Sequence, residues 1–60
     1  MKSGDHVLVK STGWRGKITE VKREGITVEF PFEFTIDLNG IGGYSRNTLV
    51  FTSDELEESK

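Results

Sequence analysis

The chain has 60 residues, 33% of them hydrophobic and 30% charged, with a net charge of −2, one histidine and no cysteine. That length allows one domain, residues 1–60, near the lower size limit for a self-sufficient core, and the lack of cysteine excludes disulfides and thiolate metal sites. No stretch approaches 18 apolar residues, and the opening Met1-Lys2-Ser3-Gly4-Asp5 has no signal-peptide core, so a cytoplasmic protein without membrane insertion is expected.

The charge is unevenly spread. Residues 1–23 carry Lys2, Lys10, Arg15, Lys17, Lys22 and Arg23 against Asp5 and Glu20, a balance of +4. Residues 24–60 carry Arg46 and Lys60 against eight acids, a balance of −6. Such a split can give one small body a positive and a negative face.

In chain order, Asp5–Lys10 reads as a first strand, with Val7 and Val9 inward and His6, Leu8 and Lys10 on the other side. The run Ser11–Gly16 reads as a loop, since Gly13 and Gly16 can supply turns of positive φ. Lys17–Arg23 is a second strand. Its apolar residues Ile18 and Val21 are three apart rather than two, which predicts a β-bulge near Thr19–Glu20. Arg23-Glu24-Gly25 is a tight turn.

From Ile26 to Leu38 the chain alternates without a break: Ile26, Val28, Phe30, Phe32, Phe34, Ile36 and Leu38 are apolar, and every residue between is polar or proline. Period 2 over β-branched and aromatic residues specifies a strand. Straight, it would span about 43 Å at ~3.3 Å per residue, against a diameter of roughly 27 Å for a compact domain of this size. The ribbon is expected to bend at Pro31, which has no ladder donor. Asn39–Gly43 is then a loop, and Asn47–Thr52 a fourth strand with Leu49 and Phe51 on one side and Val50 on the other. Ser53–Leu56 reads as a single 3-10 helical turn capped by Ser53. Glu57–Lys60 is too polar for a firm strand. The whole is all-β: five short strands in a small, strongly bent barrel.

Gly4-Asp5-x-Val7-x-Val9, Gly13-x-x-Gly16-x-Ile18-x-x-Val21 and Gly25-Ile26-x-Val28-Glu29-Phe30 together resemble the KOW pattern of SH3-like barrels. In that pattern the glycine before the second strand allows a tight loop. The later half, with Asn39-Gly40, Gly42-Gly43, Asn47-Thr48 and the ending Phe51-x-x-x-Glu55-Leu56-Glu57, is similar to SH3-like electron-transport accessory proteins, among them a small extrinsic component of photosystem I. That resemblance implies a non-enzymatic accessory protein that receives an acidic partner on basic residues. The opening also resembles plasmid-type dihydrofolate reductase. Where that enzyme has a Val-Gln-Ile-Tyr stretch, this chain has Thr48-Leu49-Val50-Phe51, so its activity is not carried over.

Convergent groups for catalysis are not apparent. His6 and Asp5 point to opposite sides of a strand, and Glu29, Glu33 and Asp37 are spaced as a solvated acidic face. Gly40-Ile41-Gly42-Gly43 lacks the helix and the Lys-Ser/Thr of a phosphate loop. No catalytic residue, metal site or cofactor is expected. The strongest candidate surface is Trp14 with Arg15, Lys17, Lys22 and Arg23, because tryptophan and arginine are enriched in binding hot spots. Trp14 has a second reading, as a lid over one end of the core. Tyr44 and Arg46 either extend the patch or anchor the long loop. The expected function is a protein-binding module that docks an acidic partner. The alternative is a KOW-type nucleic-acid-binding module of a transcription, translation or phage regulatory system, although such domains are usually basic overall. An enzyme would need several subunits to build a pocket.

Overall fold

The computed structural model describes residues 1–37 and 42–59. It is all-β: β1 (His6–Val9), β2 (Arg15–Lys22), β3 (Gly25–Asp37), β4 (Gly43–Phe51) and β5 (Leu56–Glu58), with a 3-10 turn over Ser53–Glu55. The strands form one antiparallel sheet in the order β4-β3-β2-β1-β5. Among the described residues no pairing joins β4 to β5, so the sheet keeps two edges.

Val7, Val9, Ile18, Ile26, Val28, Phe30 and Leu56 form the buried core, and among the described residues no polar or charged side chain is buried with them. Alternation produces this: Val7 and Val9 on β1, and Ile26, Val28 and Phe30 on β3, are successive same-side residues. With no second layer to cover that face, the sheet must curl over its own apolar side. Each fully covered aliphatic side chain contributes about 1.5–3 kcal/mol.

Two irregularities shape the sheet. Between Ile18 and Glu20 the β2–β3 register slips, leaving Thr19 as the extra residue, so the bulge inferred from the Ile18–Val21 spacing is present. Between Glu29 and Phe34 the β3–β4 register also shifts. There Phe30–Glu33 on β3 face only Asn47 on β4, since Glu29 opposes Thr48 and Phe34 opposes Arg46. The break brackets Pro31. Beyond it, Phe34–Asp37 pair with Gly43–Arg46 alone, because β2 follows β3 only as far as Glu29. Of this two-stranded arm, Phe34 packs half-buried against the core, and none of its residues is among the seven buried ones. The molecule is accordingly elongated, 37 × 23 × 18 Å, with a radius of gyration of 12.1 Å against about 10 Å for a compact chain of this length.

Several expectations need correction. β4 starts at Gly43 rather than Asn47, which takes Tyr44 and Arg46 out of a loop and into a strand. Cross-strand partners on β3 recruit a glycine-containing polar segment that propensity alone assigns to a turn. Gly16 lies inside β2 and Gly25 opens β3. The N-cap of the 3-10 turn is Thr52 instead of Ser53: the Glu55 carboxylate accepts from the Thr52 backbone N–H and hydroxyl, both at 2.9 Å. Glu57 and Glu58 do form a strand, held by β1, while Leu56 is buried. Leu38 and Asn39–Ile41 lie outside the described residues.

Candidate functional site

β2 begins Arg15-Gly16-Lys17, and strand alternation sorts the three. Gly16 turns inward and is buried, while Arg15 and Lys17 turn outward and are exposed. A Cβ on Gly16 would lie 2.5 Å from Val28 Cγ1 and 2.7 Å from the Glu29 carbonyl oxygen. Glycine is required here for close packing of β3, rather than for the tight loop that the resemblance suggests.

Register then builds a row across the outer face. His6 on β1 opposes Lys17, and Lys17 opposes Glu29 on β3. Directly opposed residues of an antiparallel pair share a face. These side chains, with Arg15, Pro31 and Ser59, line a groove of about 520 Å³. The Ser59 N–H donates to the His6 carbonyl at 2.9 Å, which ties the chain end to the rim. Two cations meet one carboxylate here, and among the described residues neither Arg15 nor Lys17 enters an ion pair.

Trp14 stands just before this strand. Its carbonyl accepts from the Val9 N–H at 2.7 Å, and its own N–H donates to Thr12 Oγ1 at 3.2 Å. Gly13, at φ +77°, makes the turn and donates to the Val9 carbonyl at 2.8 Å. The half-buried indole packs against Phe30, Phe32 and Phe34, with centroids 5.5, 5.1 and 5.8 Å away. Contacts with the first two rings are edge-to-face, a favoured aromatic geometry. Trp14 is thus a lid on the core, as one of its two readings held, and its backbone sits beside the cationic groove.

The remaining sequence candidates fall elsewhere. Lys22 lies five residues beyond Lys17, roughly 17 Å along the strand, and pairs with Glu20 at 3.1 Å. Arg23 occupies the adjoining turn. Tyr44 opposes Ile36 on the arm, and half-buried Arg46 opposes Phe34 and reaches Thr48 Oγ1 at 3.5 Å. The structure therefore brings Arg15 and Lys17 together beside Trp14, places Lys22 and Arg23 at the far end of β2, and sets Tyr44 and Arg46 on the arm, where Arg46 opposes Phe34, a ring that packs on Trp14. Sequence reading missed His6, Glu29, Pro31 and Ser59 as lining residues. Only the strand register reveals them, and that register depends on how the loop between β1 and β2 closes.

No helix among the described residues is long and apolar enough to cross a membrane. No protein-family model, curated protein or solved structure matches the chain.

Proposed function

We propose that this chain is a non-enzymatic binding module of the SH3-like type, which docks an acidic protein segment in the groove beside Arg15 and Lys17. The five-strand antiparallel order and the 3-10 turn before β5 support the SH3-like reading. The observation that carries the function is the pair of outward cations, without an ion pair among the described residues, set on either side of a buried glycine at the groove. With an overall charge of −2, attraction of an acidic ligand is local and short in range, and screening by salt reaches most of it.

A fluorescein-labelled oligoglutamate peptide serves as the probe. Its anisotropy should rise on titration with the intact chain, fall again with added salt, and be lost in Arg15→Glu and Lys17→Glu. Lys22→Glu, at the far end of β2, should bind as the parent does. Equal binding by all three variants would overturn the groove assignment. Tighter binding of a single-stranded or duplex oligonucleotide than of the peptide would replace this reading with the nucleic-acid one.

A further inference from the structure

The excursion of β3 opens a second cavity next to the groove. Phe30–Glu33 face only Asn47 on β4, and a hollow of about 360 Å³ is lined by these four residues and Asn47. Phe30 and Pro31 also line the Arg15–Lys17 groove of about 520 Å³. Phe30 is only 3% exposed, so the two hollows adjoin chiefly at exposed Pro31. Both are of the size of ordinary ligand sites, about 300–1,000 Å³.

Their chemistry differs. The groove sets Arg15 and Lys17 against Glu29, a small net positive charge. Among the described residues, the only charge lining the second cavity is Glu33. Phe32 beside it is 39% exposed, an aromatic surface that the rings of Trp14, Phe30 and Phe34 leave partly uncovered. A run of acids reaching that far would meet Glu33 and be repelled. An apolar side chain there would instead bury against Phe32 and Pro31. The exposed Asn47 amide offers a donor and an acceptor to the main chain of a bound segment.

Spacing fits one ligand to both. Arg15 and Lys17, two residues apart on β2, are about 7 Å apart, the separation of alternate residues in an extended segment. Lys17 opposes Glu29 and β2 runs antiparallel to β3, so Arg15 stands at the Pro31 end of the groove.

We propose that the groove and the second cavity form one composite site. It takes two alternate acidic residues on Arg15 and Lys17, and an apolar or aromatic side chain, a few residues along the same segment, against Phe32 and Pro31. Glu33 limits the length of the acidic stretch. This rests on the reading of the groove as an acid-binding one, and adds what the partner segment carries beside its acids.

Fluorescence anisotropy of labelled peptides tests it on the intact chain. The probes are Glu-Ser-Glu-Ser-Phe, its reverse Phe-Ser-Glu-Ser-Glu, a control of each with serine for phenylalanine, and oligoglutamate. One polarity should bind roughly tenfold more tightly than its serine control, as partial burial of an aromatic ring allows. Phe32→Ala, with its fold checked by circular dichroism, should abolish that gain and leave the serine control unchanged. Glu33→Gln, an exposed position that does not depend on the Phe32 variant folding, should tighten oligoglutamate severalfold, whereas Glu24→Gln in the distant β2–β3 turn should not. Acidic probes that bind without any gain from phenylalanine in either polarity would overturn the composite site and leave the groove reading standing. A gain that survives Phe32→Ala, or oligoglutamate indifferent to Glu33→Gln, would overturn it as well. Absence of binding by every acidic probe would overturn the groove reading and this inference together.

Discussion

Phe30 and Phe32 are successive same-side residues of one alternating strand, so the sequence treats them alike, yet the structure separates them sharply. Phe30 is 3% exposed within the core, whereas Phe32 is 39% exposed. Phe30→Ala empties a closed site and should cost about 3–5 kcal/mol, transfer and cavity terms together. Phe32 is covered by the rings of Trp14 at 5.1 Å, Phe30 at 5.4 Å and Phe34 at 6.5 Å, and keeps an open side to water. Phe32→Ala therefore leaves no sealed cavity. It forfeits part of the transfer energy and three partly exposed aromatic contacts, about 1–2.5 kcal/mol in all. A 60-residue domain has only about 3–9 kcal/mol to lose, so the first variant should be largely unfolded at 37 °C and the second folded with a lowered midpoint. Urea titration near 15 °C, read by far-ultraviolet circular dichroism and by Trp14 emission, gives both values. Equal destabilisation within 0.5 kcal/mol, or the reverse order, would refute the claim that the core ends at Phe30.

Gly16→Ala should destabilise by about 1–3 kcal/mol in the same titration, because its methyl meets Val28 and the Glu29 carbonyl in a packed interior. Gly13→Ala meets no atom within 4 Å but keeps a positive φ, and should cost about 1–2 kcal/mol through backbone strain alone. Glu55→Ala removes the acceptor for both Thr52 donors; a loss of about 0.5–1.5 kcal/mol is expected from the thermal midpoint. Deleting Pro31–Glu33 would continue the β3–β4 ladder without a shift, with Phe30 opposite Asn47. Phe34 should then leave the Trp14 side, seen as a red shift of tryptophan emission, and an unchanged emission maximum would contradict the role given to the excursion.

Much of the fold was legible because burial follows periodicity. Val7, Val9, Ile26, Val28 and Phe30 were readable as core from alternation alone, and the slip between Ile18 and Val21 disclosed the bulge at Thr19. The arm was not. Gly43-Tyr44-Ser45-Arg46 has no alternation of its own, and becomes a strand only because Phe34–Asp37 lie opposite. The end of the chain behaved likewise: Glu57 and Glu58 are poor strand formers that β1 holds in place. Of the candidate site, residue type identified Trp14, Arg15 and Lys17. The separation of Lys22 and Arg23 from them is a matter of distance along β2, which charge counting ignores. His6 and Glu29 entered through register, a long-range property with no local signature.

The 13-residue apolar alternation of β3 outruns the sheet that can cover it. β2 accompanies β3 only to Glu29, because β2 itself begins at Arg15. Past that point Phe30, Phe32 and Phe34 have no strand on the β2 side, and Trp14 supplies the cover with its ring. A side chain thus does the work of a missing strand neighbour. That use fixes the direction of the residues that follow. With Trp14 turned over the core, strand alternation sends Arg15 out, Gly16 in and Lys17 out. The two cations reach the outer face as a consequence of how the core is closed. The aromatic lid and the cationic groove are therefore one construction: a change that displaced Trp14 would disturb the spacing of Arg15 and Lys17 as well. The proposed binding through those cations would therefore depend on the packing of Trp14 against the core.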